Sequence, residues 1–216
     1  MALGIPALGA NTSLTVALLP GGLAAAWAYR ADLERFNVAP LLPMLAASAG
    51  GGLLGAILLL ATPTRAFDAV LPWLVLTATV AFALGREAGV LLGRAVRLRA
   101  PALLAVQLIL AVYAGYFGGG VGIMMMSAWS LLASDDVGAM QAARTVMVTT
   151  ANATAACWFV SSGAVVVAPT LVIMVAGLVG GYGGARLARR LHPSHVRLAI
   201  VTIGLLLSLG LFMRRA

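Results

Sequence analysis

The chain is 216 residues long, 62% hydrophobic and 9% charged, with a mean hydropathy of +1.04; soluble domains carry roughly 25% charged residues, so too few charges are present to cover a water-facing surface. Its 14 basic residues, all arginine, stand against six acids for a net charge of +8, but they sit in short connections and form no basic stripe with interleaved aromatics, which excludes nucleic acid as a partner. A disordered chain, a soluble enzyme and a β-barrel are excluded too, because the apolar runs are continuous and do not alternate in stretches of about ten residues.

The expected fold is therefore all-α, a polytopic bundle in a lipid bilayer. Runs of roughly 20 apolar residues, long enough to span, occur at Asn11 to Tyr29, Val38 to Ala61, Phe67 to Leu84, Ala139 to Val160, Ala164 to Ala185 and Val196 to Met213. Met1 to Ala10 has no basic residue ahead of its apolar stretch, so it does not read as a cleavable signal. Cys157 is the single cysteine and has no internal disulfide partner.

The remaining run, Pro101 to Ala133, is 33 residues. As one helix it would be about 50 Å long, against a hydrocarbon core of about 30 Å, so it must break or fold back. Gly118, Gly119, Gly120 and Gly122 mark the place, where helix propensity is lowest. If this segment crosses once, eight arginines share one side of the membrane and six the other. If it enters and returns as a hairpin, Arg30, Arg35, Arg86, Arg94, Arg97, Arg99, Arg144, Arg186, Arg189, Arg190 and Arg197 fall together against Arg65, Arg214 and Arg215. Eleven against three is the cleaner positive-inside pattern, and the hairpin is preferred.

An internal repeat is also visible. Gly9-Ala10-Asn11-Thr12-Ser13-Leu14 aligns with Gln141-Ala142-Ala143-Arg144-Thr145-Val146, and one helix later Gly51, Gly52 and Gly55 match Gly180, Gly181 and Gly184. The chain thus divides into a first transmembrane repeat, 1–100, lacking a leading broken helix, and a second, 101–216, which carries its broken helix at 101–133. Either a further segment of about 30 residues precedes Met1 or the chain is shorter than its relatives. With the hairpin, the two halves run in opposite senses, the inverted-repeat plan of many secondary transporters.

The run Tyr113-Ala114-Gly115-Tyr116-Phe117-Gly118-Gly119-Gly120-Val121-Gly122-Ile123 resembles the second-repeat signature of the sulfite exporter, or TauE/SafE-like, family of membrane permeases. Ala143-Arg144-Thr145, Ser162-Gly163 and Gly180-Gly181-Tyr182-Gly183-Gly184-Ala185-Arg186 agree with it. The likeness covers nearly the whole chain and is strongest over Tyr113 to Arg190, while the family's first glycine-rich motif is absent. The resemblance implies a multi-pass protein of the cell inner membrane that exports small sulfur-containing anions such as sulfite or organosulfonates. Composition and spacing alone do not name the substrate.

For a small anionic substrate the candidate residues are Gly115, Gly118, Gly119, Gly120, Gly122, Arg144, Thr145, Thr149, Asn152, Asn11, Thr12 and Ser13. Close helix packing is the alternative for the glycines, but three in succession amid an over-long segment also free backbone N–H groups at a half-helix N-terminus, where an anion is favoured. For Gly51/Gly55 and Gly180/Gly184, packing is the preferred reading. Arg144 lies within a span, where a cation is costly unless it is paired or faces water. It either snorkels beside Asp135 or Asp136 or attracts the substrate. Thr145, Thr149 and Asn152 share a helix face; a threonine can satisfy itself one turn back, whereas Asn152 cannot and should face a helix or a wet cavity. Asn11, Thr12 and Ser13 either line the same space or cap a helix.

His192 and His195 flank Pro193 and read as an exposed connection, since no carboxylate or thiol completes a metal site. Trp27, Trp73, Trp129 and Trp158 read as an interfacial belt. No metal or cofactor is expected, and no spanning acid offers a proton route. No catalytic set can be assembled for an intramembrane enzyme. The absent first glycine motif leaves two further readings: a non-transporting membrane or assembly partner derived from an incomplete permease, and a homodimer that lends its own broken segment.

Overall fold

The computed structural model describes residues 6–36, 40–93, 100–129, 137–188 and 193–213. Among these residues every regular element is a helix: α1 Ala7–Ala28, α2 Arg30–Leu33, α3 Leu41–Ala61, α4 Thr64–Gly93, α5 Ala100–Tyr116, α6 Val121–Trp129, α7 Val137–Ser161, α8 Val167–Ala188 and α9 Pro193–Met213. Three described stretches, Ala7–Ala28, Leu41–Ala61 and Thr64–Leu84, are long and apolar enough to cross a membrane. Leu42, Val172 and Leu206 are exposed on their helices, as side chains facing lipid would be. Pro20 and Pro72 lie within α1 and α4 without ending them, and α4 runs nine residues past the expected Leu84. Pro193 opens α9, so His195 lies in a first helical turn rather than in the expected connection; its missing N–H makes Pro suited to that position. Asp135, Asp136, His192 and the arginines at 94, 97, 99, 189, 190, 214 and 215 lie outside the described residues.

The tightest contact joins α3 to α5, which run parallel, Ser48 beside Gln107 and Gly55 beside Tyr116. A Cβ on Gly51 would come within 2.6 Å of Ala111 Cβ, and one on Gly55 would fall on the Val112 carbonyl oxygen. Glycine here brings backbone against backbone, the packing device of membrane helices. Gly115 belongs to this seam as well, because a Cβ there would collide with the Gly52 carbonyl. Gln107 Nε2 donates to Ser48 Oγ at 2.8 Å, and Ser48 Oγ donates to Met44 O at 2.8 Å, a polar tie within an apolar seam. Gly115→Ala should therefore overpack the crossing and destabilise the protein by about 1–3 kcal/mol. Thermal unfolding in detergent measures it, and an unaltered midpoint would remove Gly115 from the seam.

The segment between α5 and α6 turns back on itself. Val121 packs in one cluster with Ala111 and Ala114 from the end of α5, whereas Met125 and Met126 share another with Leu103 and Leu104 from its beginning. The thirteen helical steps from Leu103 to Tyr116 rise about 20 Å, so a continuing α6 would carry Met125 away from Leu103, not beside it. Gly118 and Gly120 make the reversal at φ +77° and +75°, a region open chiefly to glycine. The N–H groups of Phe117 and Gly118 both donate to Tyr113 O, at 2.9 and 3.2 Å, closing the end of α5.

The helices around the hairpin pair in opposite directions. Thr149 of α7 bonds to Gly22 near the end of α1, while Thr12 near its start bonds to Ala164 beyond the end of α7. Likewise Thr79 of α4 meets Gly204 of α9, and Trp73 packs edge-on against Phe212 with ring centroids 5.1 Å apart. The ends of α1 and α4 and the starts of α3, α5, α7 and α9 thus share one face, the arrangement under which the arginines divide eleven against three.

Candidate functional site

A cavity of about 260 Å³ lies between α1, the start of α6 and the first half of α7. Gly122, Arg144, Thr145, Thr149 and Asn152 line it, together with Leu18, Leu19, Gly22 and Val148. Five residues expected at the site are thus brought together. Helical geometry does this on α7, where positions 144, 145, 148, 149 and 152 recur every three to four residues and form one stripe.

Arg144 carries the charge. Its guanidinium packs against the first turn of α6: a Cβ on Gly122 would stand 2.8 Å from Nη1, so glycine is what lets the two approach. Nε is buried with no hydrogen-bond partner, and among the described residues no carboxylate pairs with the group. A guanidinium thus lies beside the positive end of a helix dipole with no negative charge between them. Ile123 and Met124 donate their N–H groups to Gly120 O at 3.0 and 3.3 Å, whereas the amides of Gly119, Gly120, Val121 and Gly122 make no backbone hydrogen bond among the described residues. These are the open donors of a helix start, and donors with this polarity suit an anion.

The neighbouring polar groups divide in two. Thr145 Oγ1 donates to Gln141 O at 2.8 Å and Thr149 Oγ1 to Gly22 O at 3.2 Å, so both hydroxyl protons are engaged and the oxygens are left as acceptors. Asn152 Oδ1 is buried and unpartnered. An unmet acceptor in a low-dielectric interior is costly, and only a hydrogen-bond donor, from water or from a bound molecule, satisfies it.

A family model for the sulfite exporter TauE/SafE matches residues 1–213. The chain belongs to that family. No curated protein and no solved structure matches it significantly. Membership in the TauE/SafE family makes the protein a multi-pass membrane permease, a transporter rather than an enzyme. Two of the four buried side-chain atoms without a hydrogen-bond partner among the described residues of this TauE/SafE chain, Arg144 Nε and Asn152 Oδ1, belong to this cavity; the others are Asp68 Oδ1 and Gln107 Oε1.

Other expected residues lie elsewhere. Among the five glycines of the broken segment only Gly122 lines the cavity; Gly115 is in the α3–α5 seam, Gly118 and Gly120 make the turn, and Gly119 lies against the Phe117 ring. Asn11, Thr12 and Ser13 are buried at the far end of α1. Asn11 Nδ2 donates to Tyr116 O at 3.1 Å, Thr12 Oγ1 to Ala164 O at 2.8 Å, and Ser13 Oγ accepts from the Val166 N–H at 3.1 Å. They neither cap α1, whose N-cap is Pro6, nor line the cavity. Leu18, Leu19, Gly22 and Val148 were not singled out from the sequence. The signal for this part of α1 was Pro20-Gly21-Gly22, a helix-weakening triplet within a span.

Proposed function

We propose that the protein is an anion permease of the cell inner membrane which exports small sulfur-containing anions, sulfite or organosulfonates, through the cavity at Arg144. The observation that carries this reading is the juxtaposition of a guanidinium, with no carboxylate partner among the described residues, and the open N-terminus of a half-helix. In a bilayer, freed backbone groups must be satisfied by protein, water or a bound solute, and a half-buried cation within a span is favoured by a counter-charge or a water-filled cavity. One anion between Arg144 and the amides before Ile123 meets both needs.

Orientation follows from charge. With the arginine-rich face cytoplasmic, the hairpin enters from the cytoplasm, turns within the membrane and returns. The antiparallel pairing of α1 with α7 and of α4 with α9 supports two inverted repeats, 1–100 and 101–216, whose relative movement would expose the cavity to either side.

The test is radiotracer flux in proteoliposomes across sulfite, sulfate, thiosulfate and taurine-like sulfonates. Protein-dependent flux of at least one, competed by the others, is expected. Vesicles no leakier to any of these anions than protein-free controls would refute the reading.

A further inference from the structure

We infer that the cavity selects an organic anion with a short apolar tail over a bare inorganic oxyanion. This rests on the anion-site reading above and narrows it to a substrate class. The cavity is two-sided. Its charged end is formed by Arg144 with Gly122 and its apolar wall by Leu18 and Leu19 of α1 with Val148 of α7, while Thr145, Thr149 and Asn152 add neutral oxygens along the α7 side. Val148 lies one helical turn beyond Arg144, about 6 Å along the axis, so head and tail of one small molecule can reach both. On its outer side Leu18 touches α8, where a Cβ on Gly177 would lie 3.5 Å from Leu18 Cδ2, and otherwise stays half exposed.

Volume sets the size of the occupant. A void of about 260 Å³ exceeds the roughly 150 Å³ apolar cavity that takes up benzene and falls below the roughly 300 Å³ at which pockets for drug-sized ligands begin. A charged head with a tail of three or four carbons fits this range. A compact oxyanion bonded to Arg144 surrenders water on the side facing leucine and gains nothing for it. An alkyl tail gains about fourfold in affinity for each methylene it buries there.

The experiment is calorimetric titration of the full chain in detergent with methane-, ethane-, propane- and butanesulfonate and sulfite. The alkyl sulfonates share one head and one charge, so their slope isolates the tail. Affinity should rise about fourfold per methylene, with propanesulfonate at least tenfold tighter than sulfite. Leu19→Thr should lower the slope below twofold per methylene, and Val148→Thr, which keeps the shape of the side chain, should do the same if the first variant folds poorly. Partition of the longer ligands into micelles would give the same slope in parent and variants, and that result overturns the inference. A flat or falling series with the anions still bound also overturns it and leaves the anion site standing. No binding of any ligand, with Arg144→Gln indistinguishable from the parent, overturns both.

Discussion

Arg144→Gln should weaken anion binding about 100-fold while leaving the protein inserted and folded. Removing one partner from a desolvated charge pair costs roughly 2–5 kcal/mol, and the lower half of that range corresponds to about two orders of magnitude in affinity. Folding should suffer little, because the guanidinium has no carboxylate partner among the described residues and its Nε is unpartnered: the unliganded protein loses a burdensome buried cation, not a bond. Arg144→Lys keeps the charge but not the planar fork and should fall between parent and Gln variant. Titration with a sulfonate, beside size-exclusion profiles in detergent, separates affinity from folding. Equal loss of monodisperse protein and of binding would return Arg144 to a structural role.

Gly120→Val should abolish transport without preventing insertion. Gly120 has φ +75°, and a Cβ on it would meet Ala78 Cβ of α4 at 2.8 Å; a β-branched side chain thus faces both a disfavoured backbone region and a helix wall. Gly118, at φ +77°, has only Ala114 O nearby, at 3.4 Å. Since asparagine tolerates the left-handed region, Gly118→Asn should retain a large share of flux, whereas Gly120→Asn should not. The apolar spans that drive insertion are untouched in each variant. Proteoliposome flux normalised to reconstituted protein makes the comparison, and equal flux through Gly120→Val and parent would remove the turn from the mechanism.

Much of this architecture can be read without coordinates, because lipid imposes strong rules. Continuous apolar runs announce spans, and a 33-residue run with glycines at its centre must break. The arginine distribution favours the hairpin that Met125 and Leu103 then display. The polar stripe of α7 follows from helical period alone. Pattern reading fails where residues of one type take different roles. Gly115 and Gly122 lie in the same motif, yet one packs against Gly52 and the other admits Arg144; nothing local distinguishes them, since the partner comes from another helix. Leu18 and Leu19 are hidden for the opposite reason: an apolar residue in an apolar run looks the same whether it meets lipid, a neighbour or a void. Asn11, Thr12 and Ser13 show a third limit. Polarity within a span signals an unmet need for hydrogen bonds but not who supplies it, and here the suppliers are backbone groups of Tyr116, Ala164 and Val166.

Those three ties give the molecule a latch on the face remote from the arginine-rich end. They fasten the start of α1 to the tip of the hairpin and to the link between α7 and α8, so that end cannot part unless all three release together. At about 0.6 kcal/mol for each bond of this kind in a membrane protein, the three contribute about 2 kcal/mol beside the apolar cluster of Ala7, Ala56, Leu59, Phe67, Ala155 and Phe159 at the same end, so under the alternating movement proposed above, opening this side must undo both.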